Sequence, residues 1–271
     1  MATDLVSSIL KTLRHRFSPV YRRVRHFGIH RHCPVCGSNV RKFLPFGDPP
    51  RPEARCPVCN SLERHRMVWA FMEPRLAKIA RPAVLHVAPE PCLRANLERL
   101  PGVDYWSSSY DGAGTRIQAD ITRLPFEDAT FDVVLCCHVL EHVLDDLGAM
   151  REFMRVLRPG GWAVLQVPLE MDRETTYEDA SIVTPEERTR AFGQNDHVRI
   201  YGRDYTDRLK AAGFSVSLFS AGEIIPGDLE RCVLDPHEPL FFCELPQCPP
   251  LQGTAQLAKQ PCVCLNESSV V

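Results

Sequence analysis

"ADITRLPFEDATFDVVLCCHVLEHVLDDLGAMREFMRVLRPGGWAVLQVP", residues 119–168, decides how the chain folds. A polar loop opens it, followed by an apolar run, Phe131 to Cys137, that reads as a strand. "DDLGAMREFMRVL" is then an amphipathic helix, stopped by Arg158-Pro159-Gly160-Gly161, and "WAVLQVP" is the next strand. The same alternation continues outward. "AVLHVA" (83–88) is a short buried strand, and "PEPCLRANLERL" (89–100) is a helix with proline in its first turn. "VDYWSSS" is a strand, "YTDRLKAAGFSVSLFS" a helix and a strand, and "PLFFCEL" an apolar closing strand. Strands alternating with helices predict an α/β fold, a mostly parallel sheet with helices on both faces.

Residues 119–168 resemble the central half of class I S-adenosylmethionine-dependent methyltransferases of the type 11 kind. The matching pieces are "ADI", "LPF", "FDVV", "HVLEH" and "RVLRPGG", in that order. Weaker similarity runs from Val84 to Leu245, including "AAGF" before a strand. The resemblance implies a Rossmann-like sheet of seven strands whose last is antiparallel, and S-adenosyl-L-methionine as cofactor.

In an open α/β sheet, ligands bind beyond the carboxyl ends of the strands, near the switch in strand order. Here those ends are His86–Glu90, Ser107–Tyr110, Asp120-Ile121 and Cys137-His138-Val139. The resemblance implies that Asp120 and the Ile121 N–H meet the adenine edge; a loop cap is the plainer reading of Asp120. It also implies that Cys137, His138 and Val139 floor the methionine end through backbone groups. The first loop departs from the family. After Val87, Ala88 occupies the place of the first loop glycine, Pro89 fixes the turn, Glu90 is placed to accept from the methionine ammonium, and His86 replaces the usual acid. The acid that ends the second strand falls at Ser109, and the nearest carboxylate is Asp111.

Candidate bases are His138, Glu141 and His142 at the mouth of the Phe131–Cys137 strand, and His197 in "FGQNDHVRIYGRDY". A packing or capping role suits His142 equally, and a loop lock suits the region of His197. The polar insert 171–194 reads as a lid over the acceptor, with Glu178 and Asp179 as its contacts.

In "CPVCG" (33–37) and "CPVCN" (56–60), 19 residues separate Cys36 from Cys56, within the spacing of a four-thiolate zinc site. Cys33, Cys36, Cys56 and Cys59 are therefore the expected ligands of a structural Zn2+ in a zinc-ribbon-like module. Gly37 and Asn60 follow the two turns, where a left-handed backbone is easiest. Next comes "SLERHRMVWAFM" (61–72), a helix with Met67, Val68, Phe71 and Met72 toward a core and Arg64, His65 and Arg66 as a basic edge.

The chain has 271 residues, 44% hydrophobic and 24% charged, with a net charge of −2 that hides a split. Residues 1–78 hold 15 Lys and Arg against 5 Asp and Glu, leaving −12 for the remainder. A basic module on an acidic domain suggests an anionic partner or a docked surface. Four parts are expected: a basic helical segment (1–30) carrying Leu5, Ile9 and Leu13, the zinc module (31–78), the methyltransferase domain (79–246) and a disordered tail (247–271). With no apolar run near 20 residues and no secretory signal pattern, the expected location is cytoplasmic, with no membrane span. The leading expectation is a methyltransferase acting on oxygen or nitrogen of a small-molecule or glycan acceptor. The alternatives are an RNA methyltransferase gripping RNA through residues 1–78, and a non-catalytic scaffold on the same fold.

Overall fold

The computed structural model describes residues 19–246. The helix expected around Leu5, Ile9 and Leu13 and the tail with Cys248, Cys262 and Cys264 lie outside the described residues. Residues 19–26 are helical (α1), beyond the expected interruption at Ser18-Pro19.

Two antiparallel ribbons follow: β1 (Phe27–Cys33) with β2 (Ser38–Val40), and β3 (Leu44–Phe46) with β4 (Arg51–Arg55). The Gly37 amide donates to Cys33 O at 2.8 Å and the Asn60 amide to Cys56 O at 3.0 Å, closing two tight turns. Gly37 (φ 64°) and Asn60 (φ 62°) are both left-handed, a conformation cheap for glycine and tolerated by asparagine. Helix α2 (Glu63–Leu76) starts two residues later than the sequence suggests and continues past Met72.

The main sheet has seven strands in the order β12-β13-β9-β8-β5-β6-β7. These are β5 (Ala83–Val87), β6 (Asp104–Ser109), β7 (Ile117–Gln118), β8 (Phe131–Cys137), β9 (Leu157–Gln166), β12 (Ser215–Ser220) and β13 (Pro239–Glu244). Only β13 runs against its neighbours, so the sheet is Rossmann-like and mostly parallel. Helix α3 (Pro91–Leu97) follows β5, and α4 (Asp146–Val156) follows β8 after a 3-10 turn at Leu140–His142. A short ribbon, β10 (Tyr177–Glu178) with β11 (Arg199–Ile200), and α5 (Pro185–Phe192) occupy the segment after β9. Helices α6 (Tyr205–Ala212), α7 (Ala221–Ile224) and α8 (Leu229–Cys232) complete the chain order.

Arg158-Pro159-Gly160-Gly161 ends the helix as expected, but β9 already includes it. The pairing register with β8 shifts there, and a Cβ on Gly161 would sit 2.9 Å from the carbonyl oxygens of Asp132 and Arg158. The bulge therefore requires a residue without a side chain.

Strand periodicity divides the core in two. Ala83, Leu85, Val87, Val134, Cys136, Ala163 and Leu165 face α4 and α6. Val84, Val133, Leu135, Cys137, Trp162 and Val164 form one cluster with Val35, Phe43, Met67, Trp69 and Phe71 of the N-terminal module. One sheet face is thus roofed by the cysteine module and α2, which share its core.

Candidate functional site

Cys33 ends β1, Cys36 lies in the turn after it, and Cys56 and Cys59 sit in the turn before α2. Their four sulfurs lie within 4.8 Å of one another. Cys33 Sγ is 3.7 Å from Cys59 Sγ, and Cys36 Sγ is 3.9 Å from Cys56 Sγ. Sulfurs bound to one tetrahedral zinc at ~2.3 Å stand ~3.8 Å apart, so the observed edges fit such an ion. Hydrogen bonds from Cys33, Cys56 and Cys59 hold the Cys36 thiol far below its ordinary range, while contact with the other thiols pushes Cys56 and Cys59 up.

β5 is the switch point of the sheet, since the chain leaves it for β6 on one side and reaches β8 on the other. At its carboxyl end Ala88 has φ 45°, the left-handed turn for which glycine is the usual residue, and its amide donates to Ser108 O at 2.7 Å. Ala88 is exposed and lines a cavity of about 320 Å³ with Pro89, Ser109 and Thr115. Pro89 therefore borders this space and does not plug it. Ser109 Oγ donates to Asp111 Oδ1 at 2.8 Å, so the hydroxyl and the nearest acid stand together at the end of β6. Hydrogen bonds from the Ala113 amide and Ser109 hold the Asp111 carboxyl below its usual range. Asp120 Oδ1 caps its own loop, accepting from the amide and hydroxyl of Thr122 at 2.9 and 2.8 Å. Among the described residues Asp120 Oδ2 and the Ile121 amide have no protein partner. The His138 amide, by contrast, is committed to Gln166 O at 2.8 Å, which leaves its carbonyl and side chain for other contacts.

Two sequence expectations need correction. Glu90 does not face the crevice. Its Oε2 accepts from His86 Nε2 at 2.8 Å, and its Oε1 stands 3.6 Å from His65 Nε2. Tyr105 OH, 3.2 Å from His86 Nδ1, completes a chain that is satisfied by the Nε2–H tautomer of His86. Burial alone would raise the Glu90 carboxyl, but the hydrogen bond from His86 and the two imidazoles bring it below its usual value. His86 is fully buried, so both side chains serve the interior under the sheet instead of a ligand. Two of the three basic residues at the start of α2, His65 and Arg66, are likewise internal, while Arg64 is half-buried. Arg66 is fully buried and donates to the carbonyls of Ala54, Ser61, Cys232 and Val233. Burial pushes His65 down to about 4. Helical spacing held the signal for both, because residues 65 and 66 share a face with Trp69 and Met72.

Beyond β8 the chain turns sharply, with His138 at φ 56°. The 3-10 turn then brings Glu141 and His142 beside His197, with ligand atoms all within 4.8 Å of one another. His138 Nδ1 is 3.5 Å from Glu141 Oε1, and the rings of His142 and His197 meet edge to face at 4.7 Å. All four candidate bases thus gather at one strand end. Burial and His142 lower the His197 pKa, which favours its neutral form. Arg199, nearly wholly buried, donates to Leu140 O and Leu144 O at 2.9 Å each and binds the β11 region to this turn. Its pairing with Glu178 at 2.9 Å, and the Asp179–Ser181 loop cap, occupy the two acids expected to contact an acceptor.

His138 also lines a cleft of about 960 Å³ with Arg31, Arg64, Gln166, Met171 and His237. The cysteine module therefore supplies one wall of the space facing the strand tips, a role that its spacing alone did not announce. Among the described residues no helix is long and apolar enough to cross a membrane.

Residues 88–165 match the family described as "Methyltransferase domain". The demethylmenaquinone methyltransferase of Mycobacterium sp. (strain KMS) is 31% identical over 113 residues, 37% of this chain and 49% of the relative. The ubiquinone/menaquinone biosynthesis C-methyltransferase UbiE of Idiomarina loihiensis is 49% identical over 45 residues, 17% of this chain and 18% of the relative. The chain spans about half the length, or less, of these curated relatives. The solved S-adenosylmethionine dependent methyltransferase from Mesorhizobium loti aligns over 65% of this chain and 97% of its own, at 16% identity and a TM-score of 0.41. Residues 88–165 are thus similar to a methyltransferase domain.

Proposed function

We propose that the protein is an S-adenosyl-L-methionine-dependent methyltransferase with a structural zinc, acting on an oxygen or nitrogen of a small-molecule or glycan acceptor. The observation that carries this reading is the open switch point. Residues within the methyltransferase-domain match border a cavity at Ala88 and Ser109, beside a larger cleft that His138 enters. The bound cofactor supplies a methyl group on a positively charged sulfur. Ser109 and Asp111 hold its ribose hydroxyls, while Asp120 Oδ2 and the Ile121 amide meet the adenine edge. Ala88, Pro89 and the backbone of Val87, Cys137, His138 and Val139 shape the methionine end. His138, at the strand end that faces the cleft, would accept the proton released by an acceptor hydroxyl or amine held in line with that methyl group. Positioning contributes most, because the sulfonium is already a strong electrophile. Cys33, Cys36, Cys56 and Cys59 hold the zinc, which closes the module that walls the cleft.

Calorimetric titration of the folded, zinc-loaded chain with S-adenosyl-L-methionine tests the reading. Saturable one-to-one heat, lost in Asp120→Ala, is expected. No heat at high micromolar protein sinks it.

A further inference from the structure

The geometry points to a second metal site: Glu141, His142 and His197 bind a divalent first-row transition cation at the mouth of β8, beside the acceptor cleft. Three observations combine. The three side chains offer one carboxylate oxygen and two imidazole nitrogens within 4.8 Å of one another. Donors on one cation at ~2.1 Å stand about 3 to 4.2 Å apart, so small side-chain rotations close the set. Glu141 is 1% exposed, and its Oε2 has no hydrogen-bond partner. A carboxylate buried this deeply costs several kcal/mol unless a cation or donors answer it, and His138 at 3.5 Å faces only the other oxygen.

The scaffold around the set is rigid. The Val198 amide donates to Glu141 O at 2.9 Å, tying the residue after His197 to the 3-10 turn. Arg199 grips the carbonyls at both ends of that turn. Asp196 Oδ2, 3.3 Å from His142 Nδ1, orients that ring, as outer carboxylates do around metal-ligating histidines. Two nitrogens and one oxygen suit borderline cations and leave coordination positions open, unlike the closed four-thiolate site. There the cation would bind an acceptor hydroxyl and lower its pKa, so that His138 removes the proton more readily. That role rests on the methyltransferase reading; cation binding does not.

The test is equilibrium dialysis of the zinc-loaded full chain against Co2+, with elemental analysis and visible absorption. One Co2+ per chain beside one Zn2+ is expected, with weak d–d bands and no thiolate-to-cobalt charge transfer. Glu141→Gln and His197→Ala should each weaken cobalt retention at least about tenfold. Thermal unfolding and S-adenosyl-L-methionine binding are measured on the same samples, so loss of fold, of cofactor binding and of the cation are separated. The site is refuted by no cobalt beyond the zinc equivalent, by cobalt that enters only with charge-transfer absorption, or by retention that survives in Glu141→Gln.

Discussion

Two buried glutamates, each set among histidines, lie close to the carboxyl ends of adjacent strands β5 and β8. Glu90 Oε2 accepts a short bond from His86 at 2.8 Å, with Tyr105 behind, and its Oε1 stands 3.6 Å from His65 Nε2, an ion-pair distance beyond hydrogen-bond reach. Glu141 has His138 at 3.5 Å on one oxygen and nothing on the other. The first cluster is the closed side in that its carboxylate is held by a short bond, although His65 Nε2 has no hydrogen-bond partner, and it brings α2 against the loop after β5. In the second, no short bond holds the carboxylate, and Glu141 Oε2 is buried without a partner. Similar residue types therefore differ in how firmly the carboxylate itself is held inside the chain.

The largest blow to the closed side is loss of the thiolate site beneath it. Cys33→Ser should release zinc and lower stability by at least about 4 kcal/mol, read as a fall in thermal midpoint together with zinc content. Next, one substitution made at both glutamates should act with opposite signs. Glu90→Gln should cost about 2 kcal/mol in urea unfolding, since it weakens a charge-assisted bond in a buried chain. Glu141→Gln should stabilise the metal-free fold by about 1 kcal/mol while weakening cobalt retention at least about tenfold. Equal signs would erase the distinction.

Acid sharpens the comparison further. His65 sits at about 4 in the folded chain against an ordinary 6.5, so the unfolded chain takes up its proton first as pH falls. Its contribution is whole above pH 6.5 and is lost between 6.5 and 4, on the order of 3 kcal/mol. The lowered carboxyl of Glu90 adds to the same trend below its unfolded value. The difference in unfolding free energy between the native chain and His65→Gln, measured from pH 7 to pH 4, should shrink over that interval. The smallest effect is expected at the left-handed turn. Ala88→Gly relieves backbone strain but gains unfolded-chain entropy, for a net change of about 0.5 kcal/mol and a small change in cofactor affinity.

Local rules made much of this legible. The Phe131–Cys137 strand, the left-handed positions after each cysteine pair and the antiparallel last strand all follow from spacing and residue type or from the family likeness. The clustering of His138, Glu141, His142 and His197 was half visible, since three of them share five residues of sequence. What escaped depends on long-range placement. No local pattern says that Arg66 would spend its donors on carbonyls from three separate segments, or that Glu90 would turn toward a helix some twenty-five residues earlier. The cleft wall escaped for the same reason, because a zinc ribbon carries no sign of the surface it will roof.

Arg66 has one further effect, on the timetable of synthesis. Two of its acceptors, Cys232 O and Val233 O, lie 166 and 167 residues downstream. A ribosome therefore delivers the ribbon long before the carbonyls that satisfy its central guanidinium. Until that stretch of the polypeptide has emerged, Arg66 lacks two of its four carbonyl partners, so the native seating of the ribbon cannot be complete before residues 232 and 233 are made.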